Sequence, residues 1–133
     1  MVRYIEVKSR NRTEMIDITA EVREVIKASG VKNGLCQLFV LHTTAGITVN
    51  EGADPAVQRD IITFLNQRVP VDLYYTHREG NSDAHIKATL TGSSLSLIVD
   101  GGKPLLGTWQ SVFFCEFDGP RPRKVAVTVV QEV

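Results

Sequence analysis

The sequence has no excess charge of either sign, and it contains few cysteine and aromatic residues. Its 15 Lys and Arg residues balance 15 Asp and Glu residues, so the formal net charge is zero. Domains that bind nucleic acid or anionic membranes usually carry a basic surface, and this balance argues against both kinds of partner. It also leaves self-association unopposed by charge repulsion.

Long hydrophobic runs are also missing. No apolar run approaches the roughly 18 residues that a membrane-spanning helix requires, and residues 1–7 contain no apolar core of signal-peptide length. The only cysteines, Cys36 and Cys115, lie in apolar runs and are interpreted as buried thiols, with a disulfide left open as the alternative. These features predict a cytoplasmic protein that makes no membrane contact.

The chain is long enough for one domain with a hydrophobic core. It has 133 residues, of which 43% are hydrophobic, and it contains no internal repeat and no Pro- or Ser-rich linker. We therefore predict a single domain over residues 1–133.

The hydrophobic spacing predicts two clear helices among many strands. One helix follows Asp17 and Thr19 and ends at Gly30, and the other begins at Asp54-Pro55 and ends at Pro70, with an apolar face of Val57, Ile61, Phe64 and Leu65. Period-two or apolar runs predict strands at residues 4–8, 15–18, 35–41, 46–50, 94–99, 110–117 and 124–130. Residues 84–91 fit either a short helix or a strand, and residues 118–122 are predicted to form a hairpin turn between the last two strands. The order of elements favours an α+β fold with a largely antiparallel sheet.

The three histidines are the first candidates for a functional site. His42, His77 and His85 all lie beside turn or polar residues. Neutral imidazole is a common zinc ligand, and three protein ligands with one open position is the usual pattern of catalytic zinc. The spacing lacks the helical His-Glu-x-x-His pairing. The alternative is that the histidines are ordinary hydrogen-bonding residues at a surface or interface.

Several acidic and cationic residues extend this candidate site. Glu116 lies within an apolar strand and needs a partner if it is buried. Asn50 and Glu51 stand between a strand and a helix start, where side chains often face a cleft. Arg121 in the Asp118–Arg121 turn is a candidate anion ligand, and the backbone of Thr43 and Thr44 could help to cradle the same anion.

Residues 107–110 contain the single tryptophan. Trp109, next to Gln110, is interpreted either as a packing anchor at a strand start or as the wall of a pocket or subunit contact. The sequence contains no P-loop, dinucleotide-binding fingerprint or nucleophile elbow.

Three long motifs together resemble one known family. They are His42–Glu51, His77–Ala88, and Gly107–Gln110 followed by Glu116–Arg121. In this order they are similar to the YjbQ-like family, often described as secondary thiamine-phosphate synthases, and the similarity covers essentially the whole chain. One departure is Ser82, where glycine is common in the family pattern.

The resemblance implies a compact fold with a β-sandwich-like core, a homotrimer and a polar site near the subunit boundaries. His42, His77 and His85 belong to the shared motifs and would form a metal or anion site, with zinc as the expected metal. The implied reaction joins a pyrimidine diphosphate to a thiazole phosphate and releases pyrophosphate. Magnesium would suit such a diphosphate substrate. The residues implied for binding the substrate or the cation are Asn50, Glu51, Asn81, Lys87, Lys103, Asp118 and Arg121.

Three functions follow as hypotheses. The first is a metal-dependent enzyme for a small phosphorylated molecule, in which Glu51 or Glu116 acts as general base toward a zinc-activated water in a hydrolytic variant. The second is a binding protein that captures a phosphorylated ligand or metal without turnover. The third is a structural role in which the histidines stabilise a trimer.

Overall fold

The computed structural model describes residues 1–133 as eight strands and three helices. In chain order the elements are β1 (Arg3–Lys8), β2 (Glu14–Asp17), α1 (Thr19–Ser29), β3 (Asn33–Val40), β4 (Ala45–Glu51), α2 (Pro55–Arg68), α3 (Ser82–Thr91), β5 (Ser94–Asp100), β6 (Lys103–Pro104), β7 (Gln110–Glu116) and β8 (Pro122–Gln131). The undecided segment at residues 84–91 is therefore helical.

The strands form two antiparallel sheets. The larger sheet has the order β1-β8-β3-β5-β6 and the smaller sheet has the order β2-β7-β4. In the larger sheet Phe39 lies opposite Ala126, and in the smaller sheet Ile47 lies opposite Phe114. This arrangement confirms the predicted α+β class with largely antiparallel strands.

The main core lies where the two sheets and α1 meet. Val22 and Ile26 of α1 are fully buried against strand residues such as Leu38, Phe114 and Val127. The spacing of Val22 and Ile26 puts both side chains on one face of the helix. Gly30 ends α1 in the left-handed conformation, with φ of 74°, as its sequence position predicted.

A second, smaller cluster lies on the other face of the small sheet. Helix α3 contributes Ala84 and Ala88, which pack with Phe113, Cys115 and Phe117 of the β7 region. Both cysteines are free and buried, so they form no disulfide with each other.

Helix α2 packs less closely than its sequence predicted. Its start is confirmed: the Asp54 side chain accepts a hydrogen bond from the amide of Ala56, and Pro55 is the first helical residue. None of its residues is fully buried, however, and Phe64 is 56% exposed. Ile62 and Leu65 are the α2 residues that pack on the small cluster, so the apolar face is shifted from the predicted one.

The prediction of a hairpin between the last two strands is wrong. Strand β7 is flanked by β2 and β4, and β8 is flanked by β1 and β3, so neither has an edge free to pair with the other. The connection at residues 117–121 instead crosses from the small sheet to the large one. Gly119 allows this crossing, since a Cβ there would lie 2.3 Å from the carbonyl oxygen of Asn11.

The outer face of the large sheet carries apolar side chains in two rows, which are separated by the polar row of Gln37, Ser96 and Thr128. Leu35 lies opposite Val130 and Ile98, and Phe39 lies in a second row that also includes Tyr4. All five side chains are about half exposed. None of the helices has the length and apolar character needed to cross a membrane.

Candidate functional site

A polar cleft opens where the end of β3, the start of α3 and the β7–β8 connection meet. Its volume is about 650 Å³, and residues 42–44, Asn81, His85, Asp118 and Arg121 all line it. Seven of the residues selected from the sequence are therefore brought together from three distant segments. Phe39 and Leu41 form an apolar part of the same wall.

His42 is held by the backbone of the neighbouring strand. Its Nε2 atom accepts a hydrogen bond of 2.8 Å from the amide N–H of Lys124. An accepting Nε2 carries no proton, so the neutral ring carries its proton on Nδ1. Desolvation lowers the pKa of His42 below its ordinary value, and the charge of Arg123 lowers it further. The charge of Glu116 opposes this, and Arg121 adds the smallest lowering effect. At neutral pH His42 is therefore an uncharged residue with one N–H to donate.

The other two histidines contact each other. The rings of His77 and His85 meet edge to face, with their centroids 5.3 Å apart. Nε2 of His77 lies 3.8 Å from a carboxylate oxygen of Glu79, and both Glu79 and His85 line the cleft. No group of three His, Cys, Asp or Glu side chains in the chain is arranged to hold a metal ion.

Behind the cleft wall lies a buried ion pair between Glu116 and Arg123. The Glu116 side chain is fully buried and that of Arg123 is 3% exposed. The Nε of Arg123 donates to Oε1 of Glu116 at 2.8 Å, and the Nη2 of Arg123 donates to Oε2. Ser9 donates to Oε1 at 2.6 Å, and the amide of Asp118 donates to Oε2 at 3.0 Å.

In this environment Glu116 fixes the position of Arg123, and Glu116 is poorly suited to act as a general base. Desolvation raises the pKa of the Glu116 carboxyl, but the hydrogen bonds from Arg123, Ser9 and Asp118 outweigh it and leave the pKa below its ordinary value. Each oxygen already accepts two hydrogen bonds, which fills the usual lone-pair positions. A proton from substrate would have no open site on this carboxylate.

Asp118 ties the rim of the cleft together. Its Oδ2 accepts hydrogen bonds from Nδ2 of Asn81 at 2.9 Å and from Nη2 of Arg121 at 3.1 Å. Its Oδ1 lies 3.5 Å from Nη1 of Arg12. Arg121 also donates from Nε to the Asp118 carbonyl at 2.8 Å, while half of its side chain stays in solvent.

Lys87 was predicted to bind substrate, but its ammonium group lies away from the cleft. It is 1% exposed and donates hydrogen bonds of 2.8 Å to Asp83 and to Asn66. Asp83 in turn accepts a 2.8 Å hydrogen bond from Arg12. Lys87 therefore connects α3 to α2 from within the structure.

Four other predicted residues lie at the far end of the small sheet. Glu51 pairs with Gln110 in the β4–β7 ladder, whereas Glu116 pairs with Ala45 at the opposite end. Strand β4 spans residues 45–51, so the two ends are roughly 20 Å apart. Asn50 and Trp109, which is 64% exposed, belong to this far end and do not line the cleft of the same chain.

The sequence analysis missed two charged residues of the cleft lining, Glu79 and Arg123, of which only Arg123 is buried. Arg123 is the more informative omission. It follows Pro122 in a segment that resembles a turn, although it lies on the inward face of β8 with Val125 and Val127. Two signals could have identified it: the period-two spacing with these valines, and the need of a buried Glu116 for a cationic partner.

These features define a class of α+β protein with two antiparallel sheets and a polar cleft sized for a small molecule. The chain belongs to the family described as UPF0047 protein YjbQ-like, whose model matches residues 3–132. The resemblance seen in the three sequence motifs is thereby confirmed.

Related proteins and structures agree with this membership. The UPF0047 protein of Methanocaldococcus jannaschii is 52% identical over 125 residues, which cover 94% of this chain and 91% of the relative. The UPF0047 protein YugU of Bacillus subtilis is 44% identical, covering 92% and 94% of the two chains. The crystal structure of an uncharacterized YjbQ/UPF0047 protein from Clostridium acetobutylicum is 50% identical and has a TM-score of 0.94, covering 96% of this chain and 99% of the other.

Proposed function

We propose that this chain binds and processes a small phosphorylated molecule in the cleft, with thiamine-phosphate synthase-type transfer as the candidate reaction. The observation that carries the proposal is the convergence of His42, His85, Asn81 and Arg121 on one cleft of about 650 Å³. Clefts of roughly 300–1,000 Å³ with a few convergent polar groups are typical of small-molecule sites. A guanidinium at such a site suits a phosphate group.

The candidate reaction makes modest demands on the protein. The ring nitrogen of the thiazole phosphate forms a bond to the methylene carbon of the pyrimidine diphosphate. The carbon–oxygen bond to the diphosphate breaks, and its electron pair leaves with pyrophosphate. No proton is abstracted, so the saturated hydrogen bonding of Glu116 is compatible with this step. The site must bind both partners and stabilise negative charge on the leaving group.

A divalent metal is part of the proposal: zinc, or magnesium with a diphosphate substrate. His77 and His85, with Glu79 beside His77, are the residues that would hold it, since imidazole and carboxylate are donors that zinc accepts. These three side chains are not arranged as a ligand group in this structure, so metal binding would require them to move. His42 fits less well, because its Nε2 lone pair accepts the Lys124 amide and its Nδ1 carries the proton. When bound, the metal would polarise a phosphate oxygen as a Lewis acid.

A homotrimer is the proposed assembly, and the apolar face of the large sheet supports it. Leu35, Ile98 and Val130 form a half-exposed apolar row, and contiguous patches of this kind often mark subunit contacts. Phe39 and Leu41 form a second half-exposed apolar group, which lies at the cleft wall beyond the polar row of Gln37, Ser96 and Thr128. A neighbouring copy on this face would stand beside the cleft. Light scattering should give three chains for the natural protein and fewer for Leu35→Glu.

The alternative is a binding protein that captures the same ligand without turnover. The observation in its favour is that Glu116 and Asp118 are both held by donors of the chain, which leaves Glu79 as the one acidic residue of the cleft lining that is not held in this way. Glu116 is saturated by four donors, and Asp118 is held by Asn81, Arg121 and Arg12. Ligand binding without product formation would decide for this alternative.

The deciding experiment compares two matched substitutions, His85→Ala and His77→Ala. The purified protein is given the pyrimidine diphosphate and the thiazole phosphate with zinc or magnesium, and thiamine phosphate and pyrophosphate are measured together with bound metal. A histidine that holds the metal or donates a hydrogen bond to the leaving group should cost about 10²-fold or more in rate when it is removed.

The pattern of losses separates the roles. Loss of metal and of rate in both variants supports the metal site. Loss of rate in His85→Ala alone supports a direct role of the cleft histidine. No product from the natural protein with either metal contradicts the transfer reaction.

A further inference from the structure

We propose that Arg123 is the residue that anchors an anionic phosphate oxygen in the cleft, through its Nη1 group, with the Nδ1–H of His42 as a second, uncharged donor. The inference rests on the proposed function only in that both use this cleft, because phosphate binding requires no turnover. It gives the anion-binding role to a largely buried arginine, in place of the more exposed Arg121.

The hydrogen bonds of Arg123 leave one end of its guanidinium group free. The Nε and Nη2 of Arg123 both donate to the Glu116 carboxylate. Nη2 also donates to Oγ1 of Thr44 at 2.9 Å and to the Thr44 carbonyl at 3.3 Å. Nη1 donates to no atom of the chain, and it is not among the buried polar atoms that lack a partner. Since Arg123 lines the cleft, the accessible Nη1 offers two N–H donors to a ligand.

Glu116 gives Arg123 a fixed position. A guanidinium held on two sides loses little further freedom when it binds a phosphate oxygen, and preorganisation of this kind raises affinity. Arg121 differs because it is half exposed and its Nε and Nη2 are both used by Asp118. We therefore assign the anchoring contact to Arg123 and a contact at the rim to Arg121.

His42 adds a donor without adding charge. The Lys124 amide occupies Nε2, which leaves Nδ1–H as the polar group available on a ring that lines the cleft. Desolvation, and after it the neighbouring charge of Arg123, lower the pKa of this ring and disfavour its protonation. Arg121 and Arg123 both line the cleft, and so do the carboxylates of Asp118 and Glu79. Asp118 is already paired with Arg12 and Arg121. An anion at the free Nη1 of Arg123 would therefore lie beside a cation whose own partner, Glu116, is on the buried side.

The test measures binding of inorganic phosphate and pyrophosphate by calorimetry. The natural protein is compared with two variants. Arg123→Lys keeps the positive charge but loses the planar guanidinium donors, and Arg121→Gln is the control that removes the charge at the rim. Phosphate affinity should fall at least tenfold in Arg123→Lys and clearly less in Arg121→Gln. Equal phosphate affinity in Arg123→Lys and the natural protein overturns the assignment.

Two further measurements keep the inference testable if Arg123→Lys folds poorly. The double variant Arg123→Gln/Glu116→Gln removes both charges together and should also lose phosphate binding. In the natural protein labelled with ¹⁵N-arginine, phosphate should shift the Arg123 guanidinium resonances more than those of Arg121. A shift confined to Arg121, or no phosphate binding at all, overturns the inference.

The outcome can be separated from that of the proposed reaction. Phosphate binding that depends on Arg123, in a protein that forms no thiamine phosphate, supports the anion site and contradicts the transfer reaction. Product formation that His85→Ala abolishes and Arg123→Lys leaves unchanged supports the reaction and contradicts the anchoring role.

Discussion

Two buried ion pairs lie within this small domain, and their surroundings give them different roles. Glu116 and Arg123 are almost completely buried, and so are Asp83 and Lys87. Arg123 still has a free Nη1 group at the cleft wall, whereas the ammonium of Lys87 is taken up by Asp83 and Asn66. Only the first pair can present positive charge to a ligand.

The difference comes from the shape of the cation. A guanidinium has three nitrogens in a plane, so it can satisfy a carboxylate with one edge and offer donors from another. An ammonium is a single point charge, and that of Lys87 is 1% exposed, is bonded to Asp83 and Asn66, and does not line the cleft. Burial alone therefore does not show whether a cationic side chain only stabilises the fold or can also bind a ligand. The direction of its unused N–H donors must be known as well.

The comparison of the two ion pairs predicts that Glu116→Gln causes the largest loss in the free energy of unfolding. This substitution leaves Arg123 as an uncompensated charge, and loss of one partner from a buried pair destabilises a fold by about 3–5 kcal/mol. Chemical denaturation should show this loss in the free energy of unfolding. The double variant Glu116→Gln/Arg123→Gln should recover part of it. A loss below about 1 kcal/mol for the single variant, the usual worth of a surface pair, would falsify the claim that the pair is effectively buried.

Lys87→Met should have a smaller effect on stability. Asp83 keeps its 2.8 Å hydrogen bond from Arg12 after the lysine is gone, so we expect a cost of about 1–3 kcal/mol. Phosphate affinity should stay unchanged, because Lys87 does not reach the cleft. Denaturation and calorimetry on the same sample test both statements. A loss of phosphate affinity as large as in Arg123→Lys would contradict the contrast between the two pairs.

Local patterns in the sequence predicted most of the fold, and the errors arose from contacts distant in sequence. Ser94–Val99 alternates clearly and forms β5, and Asp54-Pro55 starts α2 as expected. The hairpin prediction failed because strand partners are chosen across the whole chain, and nothing local shows that β7 and β8 belong to different sheets. Residues 84–91 were ambiguous because α3 buries small alanines, which produce a weak apolar pattern.

The candidate site was only partly predictable for the same reason. The motifs identified His42, Asn81, His85 and Arg121, which all line the cleft. They also included Lys87, because a motif shows which residues recur together and not which way each side chain faces. Arg123 was missed because its burial depends on Glu116, on a neighbouring strand of the other sheet.

Acid should weaken the Glu116–Arg123 pair selectively. The pKa of Glu116 in the folded state is lowered, so its contribution to stability is complete above the unfolded value of about 4.3 and declines as the pH falls through the folded value. The difference in unfolding free energy between the natural protein and Glu116→Gln should therefore be constant at neutral pH and shrink below about pH 4. Denaturation at a series of pH values measures it, and a difference that grows in acid would show that the sign is wrong.

The smallest expected effect concerns the titration of His42. Desolvation and the charges of Arg123 and Arg121 lower its pKa in the folded state, so its ring should titrate below the ordinary value of about 6.5. Because the unfolded chain then binds the proton more readily, His42 reduces stability as the pH falls through 6.5 toward its folded value. Proton NMR of the imidazole, with His42→Gln to assign the resonance, gives the midpoint directly. Bound phosphate should raise this midpoint, since an anion beside the ring favours the charged form. A midpoint that phosphate leaves unchanged would place the anion away from His42 and leave Arg123 as its sole proposed anchor.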